Sequence, residues 1–229
     1  PQFTMGPWLF PAADPQHPLG EVRTWLSLRW RFVWQRVWRS WVKNQEKLWQ
    51  SEEPLAVTTL SGALLAFERR LWKALGPFDE SFFLYFEETD WLRRARNKGL
   101  RLGYVPQARV SHHWAHVANG EWARLHLARS KNRYFRKHFP LFSLFLPLFG
   151  GHCKHFWPDL PAQLILPFTR VLWLLSPSPL GFPAAGYYGG GVPPWTSLAE
   201  ARAAHPGQPF WLGATRPGGV TFLGMWRLG

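Results

Sequence analysis

"LGPFDESFFLYFEETDWLRRARNKGLRLGYVP", Leu75 to Pro106, crowds Glu87, Glu88 and Asp90 into four positions of a chain with 14 acidic residues in all. Carboxylates at that spacing repel one another unless a cation, a proton or a helix N-terminus offsets them. The flanking residues predict the helix. Gly76-Pro77 ends an upstream helix running from about Glu68 to Leu75, because Gly suits the position past a helix end and Pro cannot continue one. The aromatic "FFLYF" leads into the acids, which open a second helix closed by Gly99. "LRLGYV" is an extended candidate after it, and "ARVSHH" is another beyond Pro106-Gln107. Upstream, "PLAVTTL" predicts a short strand through Leu60, followed by a tight turn at Ser61-Gly62. Strands and helices in this alternation predict an α/β fold.

Length relations bring a distant residue back to the acids. A helix from Thr89 to about Lys98 travels roughly 15 Å at about 1.5 Å per residue. A strand of four or five residues after Gly99, at about 3.3 Å per residue, covers a similar length in the opposite direction. Ser111-His112-His113 therefore arrives near the height of Glu88. Carboxylates with an imidazole hold a divalent cation or share an acid/base task. The same acids also suit a solvated surface that complements the helix dipole.

The rest of the 229 residues bounds the class of protein. Aromatics make up 17% of the chain and tryptophan alone numbers 16, which supplies much apolar area for a core or for an interface with lipid. The net charge of +13 suggests a polyanionic neighbour. That charge is uneven: residues 51–110 hold nine basic and eight acidic side chains, whereas 111–157 hold seven basic and one acidic. Basic residues are scattered, no nucleic-acid-binding motif appears, and nucleic acid is not expected as a partner. One cysteine, Cys153, excludes an internal disulfide framework and fits a reducing, cytoplasmic compartment. It stands near His152 and His155, three metal-type ligands without a second cluster.

From Glu21 to Gln50 there is neither Gly nor Pro, and Trp30, Trp34, Trp38 and Trp41 recur at helical spacing between arginines. Such a helix docks its indoles on a core, or lies on a membrane with indoles at headgroup level and arginines on anionic lipid. Residues 121–138 predict another helix, with Lys137 among the side chains of a mostly solvated surface. Beyond Pro140 charges thin out. The greasy stretches there are broken by proline and do not make a transmembrane helix. "PFWLGATRPGGVTFLGMWRL" predicts two strands around an Arg-Pro-Gly-Gly turn.

The ordered set Ser61-Gly62-Ala63, Gly76, Phe78-Asp79-Glu80, Phe86-Glu87-Glu88-Thr89-Asp90, Arg94, Gly99, Pro106, Ala108 and His112 resembles the acceptor-side half of family 2 glycosyltransferases of the GT-A fold, in their rhamnosyltransferase-like branch. The likeness covers roughly residues 55–140. It implies a nucleotide-sugar donor, a glycan or lipid-linked acceptor, and inversion in a single displacement. It places Glu88 as the general base, with Glu87 and Asp90 orienting the acceptor and Ser61 and Gly62 binding it. His112, or His113 if the register slips by one, would complete the coordination of Mg²⁺ or Mn²⁺. The branch usually carries Asp where Glu88 stands, and it carries an Asp-x-Asp metal loop that appears nowhere in this sequence.

The expected architecture is thus α/β, a partial GT-A domain over 1–140 lacking most of the nucleotide-binding half. An apolar, Pro-rich connecting or membrane-apposed segment follows over 141–182, then a small β-rich appendage over 183–229. Starting at Pro1 without Met, the chain is expected to be a fragment, inactive alone and peripheral on the inner face of the cell membrane. The alternative is a non-catalytic peripheral membrane or interaction protein derived from that fold.

Overall fold

The run without Gly or Pro folds as two helices rather than one. The computed structural model describes residues 17–110, 121–151, 153–218 and 221–228. In it α1 (Pro18–Arg29) and α2 (Arg31–Trp49) are separated by Trp30, whose extended backbone (φ −117°, ψ 117°) breaks the hydrogen-bond ladder. Along α2, Trp34, Val37, Trp38, Trp41, Val42 and Leu48 are buried, which is the core reading of the tryptophan spacing. Each such side chain contributes roughly 1.5–3 kcal/mol of burial.

The described residues of 23–50 and 151–229 form one compact unit, and those of 7–22 and 51–150 form the other. The fold is mixed α/β with one sheet in each unit. Both sheets are antiparallel.

In the first unit, β3 (Val171–Ser176), β4 (Ala185–Gly189), β5 (Phe210–Thr215) and β6 (Phe222–Leu228) form a sheet in the order β4-β3-β5-β6. Every residue of β3 is buried. Its side chains alternate between two covered faces. Val171, Trp173 and Leu175 join Phe210, Leu212 and Ala214 against Leu198 of α7 (Trp195–Ala204). The opposite face meets α2, with Trp38 against Gly213 and Phe222, and the Trp34 indole N–H donating to the Leu180 carbonyl at 2.8 Å. A strand covered on both faces has no polar side, so "VLWLLS" reads as unbroken grease. The stretch expected to connect or lie on a membrane thus contains the central strand of a sheet. Strands β5 and β6 pair around Arg216-Pro217 as the sequence predicts.

In the second unit, β1 (Leu55–Val57) pairs with β2 (Leu102–Tyr104), Leu55 opposite Tyr104 and Val57 opposite Leu102. Between them lie α3 (Arg69–Leu75) and α4 (Glu87–Asn97). Leu75, Trp91, Leu92 and Ala95 form their common core. The predicted return path after Gly99 exists, although the strand is three residues long. A second core gathers Phe82, Tyr134, Phe135 and Leu146, from the loop before α4, from α5 (Glu121–His138), and from the 3₁₀ turn Leu146–Phe149 that follows α6 (Pro140–Ser143). Residues 108–110 of the second extended candidate carry no strand, and 111–113 lie outside the described residues.

Candidate active site

Helix α4 is anchored through the end of α3. The last carbonyls of a short helix lack intrahelical partners, and α4 supplies donors to them. The Trp91 indole N–H reaches the Gly76 carbonyl at 2.9 Å, Lys98 Nζ the Ala74 carbonyl at 2.9 Å, and Arg94 Nη2 the Pro77 carbonyl at 2.6 Å. Arg94 Nη1 also donates to the Leu75 carbonyl. Gly76 takes φ +76°, as its place past the helix end requires.

The approach to the acids is strained. Tyr85 and Phe86 both hold left-handed backbone, φ 67° and 71°. For residues with a Cβ this costs about 1–2 kcal/mol each. Side-chain packing on α5 holds the turn. Ser130 Oγ donates to the Leu84 carbonyl at 2.7 Å, the Phe86 and Tyr134 rings lie 5.2 Å apart, and Phe82 is buried beside Tyr134 and Phe135. Strain of this kind gathers where a loop must present particular side chains. Here the next two residues are Glu87 and Glu88.

Asp90 has a different environment from its two acidic neighbours. Its side chain is fully buried, and both oxygens are taken. Oδ2 accepts from Arg94 Nε at 2.9 Å, while Oδ1 lies 2.7 Å from Lys137 Nζ and 2.7 Å from His138 Nε2. Against a carboxylate that ring nitrogen donates. Burial pushes the Asp90 carboxyl up, but hydrogen bonds from His138, Lys137 and Arg94 outweigh it and hold the group below the usual range. Lys137 continues to Asp79 Oδ2 at 2.7 Å. Burial works to lower the Lys137 ammonium, yet Asp79 and Asp90 together raise it. Lys137, expected on a solvated surface, is in fact the link that ties α5 to both carboxylates. Its counter-ions lie 58 and 47 residues upstream, beyond the reach of helix-face periodicity.

Glu88 is half-buried and faces the opposite electrostatic balance. Burial raises its carboxyl, and the neighbouring Glu87 charge raises it further; the N–H groups of Glu88 and Thr89 and the Thr89 hydroxyl only partly offset this. The Ser61-Gly62 turn lies directly against it. A Cβ placed on Gly62 would fall 3.3 Å from Glu88 Cγ and 3.6 Å from Cδ. Glu87 has one buried oxygen, Oε2, with no hydrogen-bond donor among the described residues. The fold thus brings Glu87, Glu88 and the Ser61-Gly62 turn together around an exposed rim, with Asp90 closed off beneath. His112 lies outside the described residues.

A metal fits this arrangement poorly. Asp90 has no free lone-pair direction, and no group of three His, Cys, Asp or Glu able to hold an ion gathers among the described residues. Near Cys153, His155 Nε2 is engaged with the Ser27 carbonyl at 2.6 Å and its ring packs on Trp34 and Trp157. That histidine is a packing residue, and burial raises the Cys153 thiol.

Comparison with known proteins places a class on this geometry: over part of its length the chain is similar to a glycosyltransferase of the rhamnosyltransferase kind. The relatives are N-acetylglucosaminyl-diphospho-decaprenol L-rhamnosyltransferases of two Mycobacterium tuberculosis strains. Identity is 38% over 91 residues, which is 40% of this chain and 29% of each relative. The match therefore covers less than a third of the length of those curated relatives. No family model and no solved structure matches the chain.

Proposed function

We propose that this chain carries the acceptor-side part of an inverting glycosyltransferase of GT-A type, with Glu88 as its general base. The observation behind the reading is the contrast between two carboxylates two residues apart. Asp90 is buried and held ionised by three donors, whereas Glu88 sits at the rim with its proton affinity raised, against a turn that leaves room for nothing larger than glycine. A base needs a proton affinity above that of an ordinary carboxylate and a position open to substrate.

In the proposed reaction an acceptor hydroxyl enters over the Ser61-Gly62 turn. As its oxygen forms a bond to the anomeric carbon, Glu88 takes the hydroxyl proton. The bond from that carbon to the diphosphate breaks, and the nucleoside diphosphate leaves with the electron pair. Attack from the face opposite the leaving group inverts the configuration. Glu87 Oε2 is available to accept from a second acceptor hydroxyl. Asp90 is a positioning residue: it fixes α4 to α5 and so aims Glu88.

The relatives' name specifies L-rhamnose as the transferred sugar and a lipid diphosphate bearing N-acetylglucosamine as the acceptor. We extend that chemistry to this chain as a lipid-linked or glycan acceptor in cell-surface polysaccharide synthesis. The setting would be peripheral, on the inner face of the cell membrane. No helix among the described residues is long and apolar enough to cross a membrane. Donor binding, and any Mg²⁺ or Mn²⁺ that stabilises the departing diphosphate, would rest on the donor-binding half, because the sequence has no Asp-x-Asp; no step above is routed through metal.

The test pairs this chain with a donor-binding half and measures L-rhamnose transfer from a nucleoside diphosphate to N-acetylglucosaminyl-diphospho-polyprenol. Glu88→Gln should abolish transfer and leave donor affinity unchanged. Near-normal turnover in that variant would remove Glu88 from the mechanism.

A further inference from the structure

The tryptophan helix α2 is spent on the core, so a peripheral enzyme needs another surface to meet lipid. We infer that the segment after α5 is that surface. Residues 140–149 follow a tight helical path, and their side chains divide sharply. Phe142 and Leu146 turn inward onto Phe135, with Phe149 stacked on Phe142. Leu141, Leu144, Phe145 and Leu148 point outward and are 78%, 73%, 55% and 66% exposed. Their spacing is i, i+3, i+4, i+7, one continuous ridge. Four large apolar side chains this exposed at adjoining positions form a patch rather than scattered surface leucines.

Charge names the occupant. Immediately before the ridge, α5 exposes Arg129, Arg133 and Arg136, again at i, i+4, i+7 and so on one stripe. None of the three has an ion-pair partner among the described residues, unlike Lys131 and Lys137, which are bound to Glu21 and to Asp79 and Asp90. From Trp122 to Trp157 the chain has no acidic residue. Apolar side chains that enter the acyl boundary, beside free arginines that meet phosphate headgroups, match the surface of an anionic bilayer. A second copy of this chain would bring the same positive stripe and fits less well.

This refines the peripheral-membrane part of the proposed reading. It is tested on vesicles that carry no sugar, so its failure leaves the role of Glu88 untouched, and loss of the Glu88 role leaves it standing. The full chain is co-sedimented with phosphatidylcholine vesicles with and without phosphatidylglycerol. Binding should require the anionic lipid and weaken with salt. Leu144→Ser with Leu148→Ser should lower partitioning by roughly tenfold or more. Arg133→Gln with Arg136→Gln should lower it by roughly fivefold per arginine on anionic vesicles. All four positions are exposed, and near-UV circular dichroism checks that the fold is kept. Absence of binding overturns the inference, and so does binding that the leucine variants leave unchanged. Self-association relieved by the leucine substitutions, without vesicle binding, also overturns it and assigns the ridge to a second copy.

Discussion

Replacing Asp90 by Asn, beside Glu88 by Gln, separates the carboxylate that holds the site from the one that acts in it. Asp90→Asn keeps the shape but removes the charge from a fully buried side chain that answers Arg94, Lys137 and His138. Breaking a buried ion pair by removing one partner costs about 3–5 kcal/mol. Two facts reduce that figure. Lys137 is about a third exposed and keeps Asp79, and Arg94 keeps the carbonyls of Leu75 and Pro77. The expected loss is about 3 kcal/mol, equivalent to a fall in Tm of roughly 6–12 °C for a chain of this size. Glu88→Gln removes a charge that its surroundings disfavour and should leave Tm unchanged or slightly higher. Thermal unfolding followed by circular dichroism measures both, and hydrogen exchange of α4 and α5 peptides should localise the Asp90 effect. An Asp90→Asn variant as stable as the parent, or a Glu88→Gln variant equally destabilised, would refute the division of roles.

Three further outcomes follow from the same geometry. Gly62→Ala should lower transfer by roughly tenfold with little change in stability, because the new methyl displaces Glu88 by a few tenths of an ångström from near-attack geometry; a kcat equal to the parent's would show that the turn does not set the base. The raised Glu88 carboxyl predicts a transfer rate that rises with pH through a value above the ordinary carboxylate range near 4.3 and that loses this limb in Glu88→Gln; a flat acid limb contradicts the assignment. Asp79 and Asp90, both held low, contribute stability that is present above their unfolded values near 3.9 and is lost as pH falls through their lower folded values. Urea titrations from pH 6 downward should show that loss in the parent and a smaller one in Asp90→Asn. In the other unit, Trp34→Ala should cost about 3–5 kcal/mol by leaving a cavity against β6 and an unpartnered Leu180 carbonyl.

Local signals were legible wherever a single element carries its own stop and start. Gly76-Pro77, the acid-rich opening of α4, Gly99 and the Arg-Pro-Gly-Gly turn each mark a boundary through backbone conformation, which depends on adjacent residues alone. The tryptophan period gave the buried face of α2 for the same reason. The strand β3 was not legible, because a strand covered on both sides loses the alternation that identifies strands. Lys137 was not legible either, since helix periodicity says which residues share a face but not what that face meets.

Sequence by itself therefore determined the local helices and turns around residues 61–104, the clustering of three carboxylates, and the chemistry those residue types permit. Tertiary structure alone decided that the three acids are not equivalent. Asp90 is neutralised by groups arriving from α5, almost fifty residues away, while Glu88 meets only burial, a like charge and a glycine turn. A carboxylate's proton affinity is set by what surrounds it in space, and spacing along the chain fixes only which carboxylates are available.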